Sequence, residues 1–184
     1  MAHRSFGING APHLSVVASV EASPNADSTA RARRVPSLLL VCSSGGHLTQ
    51  LYNLRSWWER FERTWVTFAK PDATSLLTGE RTVWAYHPTT RNLWNLLRNS
   101  VLAWRLIRRE RPDLIVSTGA GVAFPFFLIG KLHGARTTYV EVFDRVDSPT
   151  MTGRLCYPIS DRFLLQLEEQ KAMYPKGQVV GPLL

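Results

Sequence analysis

The chain has 184 residues, 45% of them hydrophobic and 20% charged, which suits one globular domain rather than two. Its two cysteines, Cys42 and Cys156, are too few for a disulfide framework, and neither lies in a spacing typical of a metal site. The formal net charge is +8, and the segment Arg91–Arg111 alone carries six arginines and one glutamate. Such a localised basic segment favours an anionic partner: nucleic acid, a membrane surface or a phosphorylated ligand.

The first 36 residues are rich in alanine and serine and contain no apolar run long enough for a signal peptide. They are predicted to be a disordered extension, with a transit peptide or a misassigned start codon as alternatives. The globular domain is therefore expected over residues 37–184. The uncharged stretch Leu114–Gly130 is interrupted by serine, glycine and proline, so it predicts a strand, a turn and a helix rather than a membrane span.

Short apolar runs alternate with helical patterns along this domain. The first run is followed by a Gly-rich turn, and apolar residues then recur at helical spacing from His47 to Phe61. The predicted strands are Leu38–Cys42, Trp65–Phe68, Thr82–Ala85, Leu114–Ser117, Arg136–Val140, Phe163–Gln166 and Gln178–Val180. Apolar strands alternating with helices predict an α/β fold: a Rossmann-like parallel sheet with helices on both faces.

The turns that follow the strands are the places to look for chemistry, because ligands of such sheets bind at the carboxyl ends of the strands. The first turn, Ser43-Ser44-Gly45-Gly46-His47, joins flexible glycines to the start of a helix, which favours phosphate. It matches neither the dinucleotide motif nor the nucleoside triphosphate motif. His47 is a candidate general base or phosphate donor, and a plain capped turn with a packing histidine is the alternative.

A second turn of the same kind, Ser117-Thr118-Gly119-Ala120-Gly121, follows the fourth strand. The two turns could face each other and hold a diphosphate between two helix N-termini. Two tight strand-to-helix connections without a ligand are the alternative.

The third turn, Glu141-Val142-Phe143-Asp144-Arg145-Val146-Asp147, holds three acidic residues. A carboxylate just past a strand is well placed to act as a base for a sugar hydroxyl, and Arg145 is a candidate phosphate or partner contact. Ordinary loop salt bridges are the alternative. A divalent metal is disfavoured, because apolar residues separate the acidic ones.

The basic segment Arg91–Arg111 is predicted to be an amphipathic helix. The half expected to pack on the sheet holds Leu93, Trp94, Leu96, Leu97, Val101, Ala103, Trp104 and Ile107. The other half carries arginines beside leucines, which suits insertion at an anionic membrane surface, with an ordinary solvated face and nucleic-acid binding as alternatives. The candidate membrane contacts are Arg91, Arg98, Leu102, Arg105, Leu106 and Arg109, together with Trp94.

Three ordered motifs carry a family resemblance that covers essentially Ser37–Leu184. They are Ser43-Ser44-Gly45-Gly46-His47-Leu48, then Pro112-Asp113-Leu114-Ile115-Val116-Ser117-Thr118-Gly119-Ala120-Gly121, and a tail that runs from Tyr139-Val140-Glu141 through Gln166 and Tyr174-Pro175 to Gly181-Pro182-Leu183-Leu184. With these motifs the chain resembles the membrane-recruiting subunit of two-component glycosyltransferases. It is similar to bacterial members that serve capsule and exopolysaccharide assembly and, more distantly, to the eukaryotic subunit of the dolichol-linked N-acetylglucosaminyltransferase.

The resemblance implies the N-terminal, acceptor-binding half of a GT-B glycosyltransferase, with a separate donor-binding chain as partner in a heterodimer. The implied reaction is inverting transfer of a sugar from a nucleotide to a polyprenyl-pyrophosphoryl sugar, without a metal or redox cofactor. The pyrophosphate would lie on the turns Ser43–His47 and Ser117–Gly121 and on Arg145, and His47 or Glu141 would take the proton. A non-catalytic membrane adaptor for the partner is the alternative.

The resemblance also bears on the partner and the membrane. The tail residues Val180, Gly181, Pro182, Leu183 and Leu184 are the expected partner interface. Peripheral attachment at the cytoplasmic face of the plasma membrane is expected, through the basic helix and the nearby Phe124, Phe126 and Phe127.

Overall fold

A single parallel sheet organises the part of the chain that the computed structural model describes, residues 35–143 and 148–183. Its seven strands are β1 (Ser37–Val41), β2 (Glu62–Phe68), β3 (Thr82–Ala85), β4 (Leu114–Ser117), β5 (Arg136–Val140), β6 (Arg162–Leu165) and β7 (Gln178–Val179). They lie in the order β3-β2-β1-β4-β5-β6-β7, and every neighbouring pair is parallel. The predicted Rossmann-like sheet is confirmed, and all seven predicted strands are present, although β2 begins three residues before its predicted start and the ends of β1, β6 and β7 differ by one residue.

Six helices connect these strands: α1 (Gly46–Tyr52), α2 (Arg55–Trp58), α3 (Pro71–Leu76), α4 (Leu93–Glu110), α5 (Ala123–Leu132) and α6 (Met151–Cys156). Short 3₁₀ turns lie at Tyr157–Ile159 and Glu168–Ala172. The prediction of a single helix from His47 to Phe61 is wrong, because the helix is interrupted at Asn53 and Leu54, between α1 and α2. No helix among these is both long enough and apolar enough to cross a bilayer.

Helices cover both faces of the sheet, as predicted, and β1 shows why its sequence is continuously apolar. Leu38 and Leu40 pack into one core with α1, α2 and the tail residues Val180 and Leu183. Leu39 and Val41 point the other way, into a second core with α4 and α5. Because successive side chains of a strand alternate between faces, a strand that is buried on both sides needs apolar residues at every position.

The order of the strands places the first two Gly-rich turns side by side. From β1 the chain builds outward to β2 and β3, then returns through α4 to β4 on the other side of β1. The register pairs Val41 with Ser117, so both strands end at the same level. This change of direction is the topological switch point, where open α/β sheets bind ligands.

The helix α4 begins at Asn92, whose side chain accepts a hydrogen bond from the Asn95 N–H, and ends at Arg111 in the left-handed conformation. Its orientation differs from the prediction. Two asparagines are buried because they bind the backbone after β3: Asn95 Nδ2 donates to the Pro88 carbonyl, and Asn99 pairs with both backbone groups of Tyr86. The apolar periodicity of the sequence could not predict this orientation of α4, because the two asparagine side chains make hydrogen bonds within the protein in place of hydrogen bonds to water.

Candidate functional site

The structure joins the turns after β1 and β4 through His47. The ring atom Nδ1 of His47 lies 2.7 Å from the carbonyl oxygen of Thr118, and the Thr118 hydroxyl donates back to the His47 carbonyl over 2.7 Å. A carbonyl oxygen can only accept, so Nδ1 carries the proton of this hydrogen bond. In the neutral form of the ring this tautomer leaves the lone pair on Nε2, which is the arrangement that a general base requires.

Gly119 allows the second turn to approach His47 closely. Its φ is +120°, a conformation open to glycine, and a methyl group on its Cα would lie 2.9 Å from the Tyr139 hydroxyl and 3.0 Å from His47 Cε1. Burial raises the pKa of Tyr139 well above its ordinary value, with a smaller contribution from Glu141, so the phenol stays neutral. Tyr139 is therefore a buried, uncharged side chain beside the imidazole of His47.

Two residues predicted to bind pyrophosphate instead make hydrogen bonds that hold the two turns. Ser117 and Thr118 are fully buried, and the Ser117 hydroxyl accepts the Gly119 N–H over 2.9 Å. Since the Thr118 hydroxyl is directed to His47, neither side chain faces a ligand, and this part of the prediction is wrong. Gly121 remains partly accessible beneath Thr89 of the loop after β3, which sequence reasoning missed.

The first Gly-rich turn is held by an acidic side chain that sequence reasoning also missed. The Gly45 N–H donates to Asp72 Oδ2, at the start of α3, over 2.6 Å. A carboxylate therefore already occupies one donor that was predicted to bind phosphate. Ser43 and Ser44 are half-buried and Gly46 is exposed, so these three keep an accessible surface beside His47.

Glu141 lies inside the protein and does not reach the surface of the site. Its carboxylate is fully buried and accepts from the Val142 N–H at 3.2 Å and from the Thr150 hydroxyl at 3.3 Å. Gly153 of α6 packs so closely that a methyl group there would clash with Glu141 and Tyr174. The prediction of Glu141 as an alternative base is corrected: it ties β5 to α6, and a base must reach the proton that it removes.

The C-terminal tail is also part of the core. Val180 and Leu183 are buried in the cluster that contains α1 and α2, while Gly181 and Pro182 remain accessible. The predicted partner interface is therefore wrong for the side chains of Val180 and Leu183. Sequence reasoning could not distinguish a tail that docks on its own domain from one that docks on a partner, because both need apolar residues.

A buried network of amides fixes this tail to the site. Gln166 Nε2 donates to Gln50 Oε1 on α1 over 2.7 Å and to the Glu141 carbonyl over 2.9 Å, while Gln166 Oε1 accepts the Leu183 N–H over 2.9 Å. Asn53 Nδ2, at the end of α1, donates to the Leu183 carbonyl over 3.0 Å. Helix α1, which carries His47 in its first turn, is thus anchored at both the middle and the end.

Replacing Gln166 by leucine is expected to destabilise the domain by about 2–4 kcal/mol, because each buried polar group left without a partner costs about 1–3 kcal/mol. Urea unfolding followed by tryptophan fluorescence measures the change. Glu169→Leu, at an exposed position nearby, is the control and is expected to change stability by less than about 0.5 kcal/mol. Equal unfolding midpoints for Gln166→Leu and the unmodified chain would show that the network contributes nothing.

The exposed face of α4 is apolar and basic, but its residues are not all the predicted ones. Leu93, Trp94, Leu97, Val101 and Trp104 are 77%, 69%, 60%, 50% and 45% exposed, so these five residues of the half expected to pack on the sheet face outward, while Ala103 and Ile107 of the same half are buried as predicted. Arg98, Arg105, Arg108 and Arg109 are exposed with them, and Arg91 is exposed just before the helix. The Arg98 guanidinium lies 3.7 Å from the ring centroid of the exposed Tyr86, which extends the apolar surface onto the end of β3.

Several predicted membrane contacts are corrected by burial. Leu106 is buried and Leu102 is partly buried against the second core. Phe126 and Phe127 of α5 are fully buried, and Phe124 packs against the same core. Trp94 and the predicted arginines lie on the surface. The exposed leucines beside them, Leu93 and Leu97, belong to the half of the helix that was predicted to pack on the sheet.

Two predicted site residues, Arg145 and Leu184, lie outside the described residues, as does nearly all of the predicted N-terminal extension. In residues 35–143 and 148–183, no three histidine, cysteine, aspartate or glutamate side chains cluster to hold a metal ion. Burial raises the pKa of both cysteine thiols to about 12, so Cys42 and Cys156 are unreactive apolar core residues.

Comparison with solved structures places this fold in a class. The chain superposes on Acinetobacter baumannii MurG with a TM-score of 0.60 at 15% identity, covering 73% of this chain and 43% of that one. A glycosyltransferase from Rickettsia africae gives a TM-score of 0.60 at 13% identity, with 80% and 43% covered. UDP-N-acetylglucosamine 2-epimerase from Rickettsia bellii gives a TM-score of 0.64 at 11% identity, with 82% and 46% covered. The fold is therefore one Rossmann-like domain of the GT-B type, as predicted, and transferases and epimerases share it.

Sequence comparison then shows the family. Residues 80–183 match the family described as "Oligosaccharide biosynthesis protein Alg14 like", and the chain belongs to it. The human UDP-N-acetylglucosamine transferase subunit ALG14 is 30% identical over 98 residues, which are 50% of this chain and 45% of the human protein. The fission yeast subunit is 32% identical over 104 residues, 53% of this chain and 48% of that protein. The chain thus spans about half the length of these curated relatives.

Proposed function

We propose that this chain is the acceptor-binding, membrane-attached subunit of a two-component inverting glycosyltransferase that builds a lipid-linked saccharide. A separate partner chain supplies the nucleotide-sugar site. Family membership supports the subunit role, because the relatives are named as subunits of a UDP-N-acetylglucosamine transferase. As for the bacterial proteins that the chain resembles, the products are precursors of capsule or exopolysaccharide, made at the cytoplasmic face of the plasma membrane.

The observation that carries the catalytic part of this proposal is the fixed tautomer of His47. With Nδ1–H donated to the Thr118 carbonyl, Nε2 is the ring nitrogen whose lone pair takes the proton. The acceptor hydroxyl attacks the anomeric carbon of the donor, and its proton passes to Nε2. The bond from that carbon to the nucleotide's phosphate oxygen breaks on the opposite face, so the configuration inverts and the nucleotide diphosphate leaves.

The pyrophosphate of the acceptor is proposed to lie against Ser43, Ser44 and Gly46, beside the start of α1. Helix N-termini offer free N–H groups and a positive dipole end to anions. Asp72 already occupies the Gly45 N–H, and its negative charge keeps the phosphates on the other side of the turn, nearer His47 and Gly121. Ser117 and Thr118 shape this site without touching the ligand.

Binding of the acceptor to this chain alone tests the proposal. A water-soluble short-chain polyprenyl-pyrophosphoryl N-acetylglucosamine is expected to bind the isolated subunit and to shift the His47 imidazole resonances. Ser43→Ala with Ser44→Ala is expected to weaken that binding, while Ser75→Ala, an exposed serine of α3, leaves it unchanged. A subunit that recruits its partner but never binds this compound would be a membrane adaptor only.

The exposed face of α4 is proposed to hold the subunit on the membrane. Indole and leucine side chains enter the boundary between headgroups and acyl chains, and the arginines bind anionic headgroups. Leu93 and Trp94 lie at the end of α4 where the loop carrying Thr89 approaches Gly121, so the membrane contact begins beside the proposed acceptor site. This arrangement would admit a lipid-linked acceptor without removing its chain from the bilayer.

Replacing Trp94 or Leu97 by glutamate is expected to weaken binding to phosphatidylglycerol vesicles about ten-fold or more, because a fully buried apolar side chain contributes about 1.5–3 kcal/mol. Vesicle co-sedimentation measures the partition coefficient. Met151→Glu is the matched control, since Met151 is 76% exposed on α6, away from α4. Loss of binding by Met151→Glu, with none by Trp94→Glu, would place the membrane contact elsewhere.

A further inference from the structure

An open cavity lies at the amino edge of the sheet, at the opposite end of α4 from His47. It has a volume of about 460 Å³, and its walls come from the ends of α4 and α5 and from the chain leading into β4 and β5. The lining residues are Ile107, Arg108, Arg111, Pro112, His133 and Ala135. None of them belongs to the proposed acceptor site.

The cavity is positively charged, and the described residues supply no acidic partner for its arginines. Within residues 35–143 and 148–183, no carboxylate oxygen lies within 4.0 Å of a nitrogen of Arg108 or Arg111. The neighbouring Glu110 pairs with Arg81 at 2.6 Å and with Arg109 at 2.8 Å. The two helix ends contribute about half a negative charge each, which two guanidinium groups exceed.

Apolar side chains flank this basic cavity on both helices. On α4 the Arg108 guanidinium lies 4.7 Å from the ring centroid of Trp104, which is 45% exposed. On α5, Leu132 precedes His133 and is 77% exposed. Cationic groups between exposed apolar side chains are the pattern of a site at the membrane surface, where a headgroup meets the basic groups and the apolar residues enter the lipid.

We infer that the cavity between the ends of α4 and α5 binds a phosphate-bearing lipid headgroup through Arg108, Arg111 and His133. The inference rests on the proposed attachment of the subunit to a membrane through α4. The 18 residues of α4 span about 27 Å, so the cavity and Trp94 hold opposite ends of the helix. Two contacts this far apart keep α4 parallel to the bilayer and fix the acceptor site at its surface.

The test compares two arginines of the same helix region on phosphatidylglycerol and phosphatidylcholine vesicles. Arg105 is exposed on α4 but does not line the cavity. Arg105→Gln is expected to weaken partition onto the anionic vesicles about five-fold, the effect of one surface charge. Arg111→Gln is expected to weaken it about twenty-fold or more, because charge-assisted hydrogen bonds to phosphate are lost as well. Thermal melts check that both variants fold.

A second measurement separates a lipid headgroup from a free phosphate. Glycerophosphoglycerol and inorganic phosphate are titrated in turn against the intact chain while the His133 imidazole resonances are followed. Saturable shifts with glycerophosphoglycerol, absent from Arg111→Gln, support the inference. Shifts with inorganic phosphate alone would make the cavity a site for a soluble phosphate and would overturn it.

Equal losses for Arg105→Gln and Arg111→Gln would also overturn the inference, because diffuse charge would then explain both. That failure is distinguishable from failure of the membrane proposal itself. If Trp94→Glu still weakens vesicle binding, the α4 face is retained and only the headgroup cavity is lost. If neither Trp94→Glu nor Arg111→Gln changes binding, both are contradicted.

Discussion

Replacing His47 by alanine is expected to lower kcat of the proposed two-chain enzyme by about 10²–10⁴-fold, the contribution typical of a general base. His47→Asn is expected to be as inactive, and it is the sharper variant. The amide nitrogen of asparagine is as far from Cβ as the imidazole Nδ1, so its N–H can still donate to the Thr118 carbonyl while the base is removed. The measurement is steady-state transfer at saturating donor and acceptor.

Assembly and folding serve as controls for these variants. Thr49→Ala, at an exposed position on the same helix, is expected to keep full activity. Both His47 variants are expected to bind the partner and to melt near the temperature of the unmodified chain. If His47→Asn restored the activity lost in His47→Ala, His47 would only join the two turns, and the base would have to be sought elsewhere.

Gly119→Ala is expected to be the most damaging small substitution at the site. The new methyl group would be forced against Tyr139 and His47, at a φ of +120° that L residues rarely adopt. Overpacking costs about 1–3 kcal/mol, and backbone strain adds about 1–2 kcal/mol, so we expect destabilisation of about 2–5 kcal/mol. Displacement of the imidazole by about 1 Å is expected to cost about 10²-fold in kcat.

Gly134→Ala separates these two effects. Gly134 also has a positive φ, +81°, but nothing lies within 4 Å of a methyl group there, and it lies at the amino edge of the sheet. It is expected to lose some stability through strain and to keep its kcat. If Gly134→Ala and Gly119→Ala lost kcat equally at a temperature where both are folded, backbone strain rather than displacement of His47 would explain the loss.

The strands, the parallel sheet and the adjacency of the two Gly-rich turns could all be predicted from the sequence. Strands such as β1 and β4 are buried on both faces, so their apolar runs are continuous and easily recognised. Once the sheet is parallel, the turns that follow its strands must lie at one edge. The closeness of His47 to Thr118 follows from that geometry, but the direction of its hydrogen bond does not, because that depends on side-chain rotation.

The parts that could not be predicted depend on polar groups that are satisfied inside the protein. In a helical pattern Asn95 and Asn99 look like surface residues. Their hydrogen bonds to the loop after β3 bury them instead, and Leu93 and Leu97 are then exposed on the outer face of α4. In the same way Glu141 resembles an accessible acid, although Thr150 and the Val142 N–H hold it in the interior. The periodicity of a sequence shows which residues are polar. A polar residue is expected to be exposed only when it has no hydrogen-bond partner inside the protein.

Sugar transfer to a polyprenyl-pyrophosphoryl N-acetylglucosamine in phosphatidylglycerol vesicles tests the proposed acceptor-binding and base roles of this chain most directly. Three samples are compared: this chain alone, the donor-binding partner alone, and both together, the last with and without His47→Asn. We expect turnover only in the mixture and its loss with His47→Asn while the pair still assembles. Turnover by the partner alone, unchanged by the addition of either form of this chain, would contradict the assignment of acceptor binding and proton removal to this subunit.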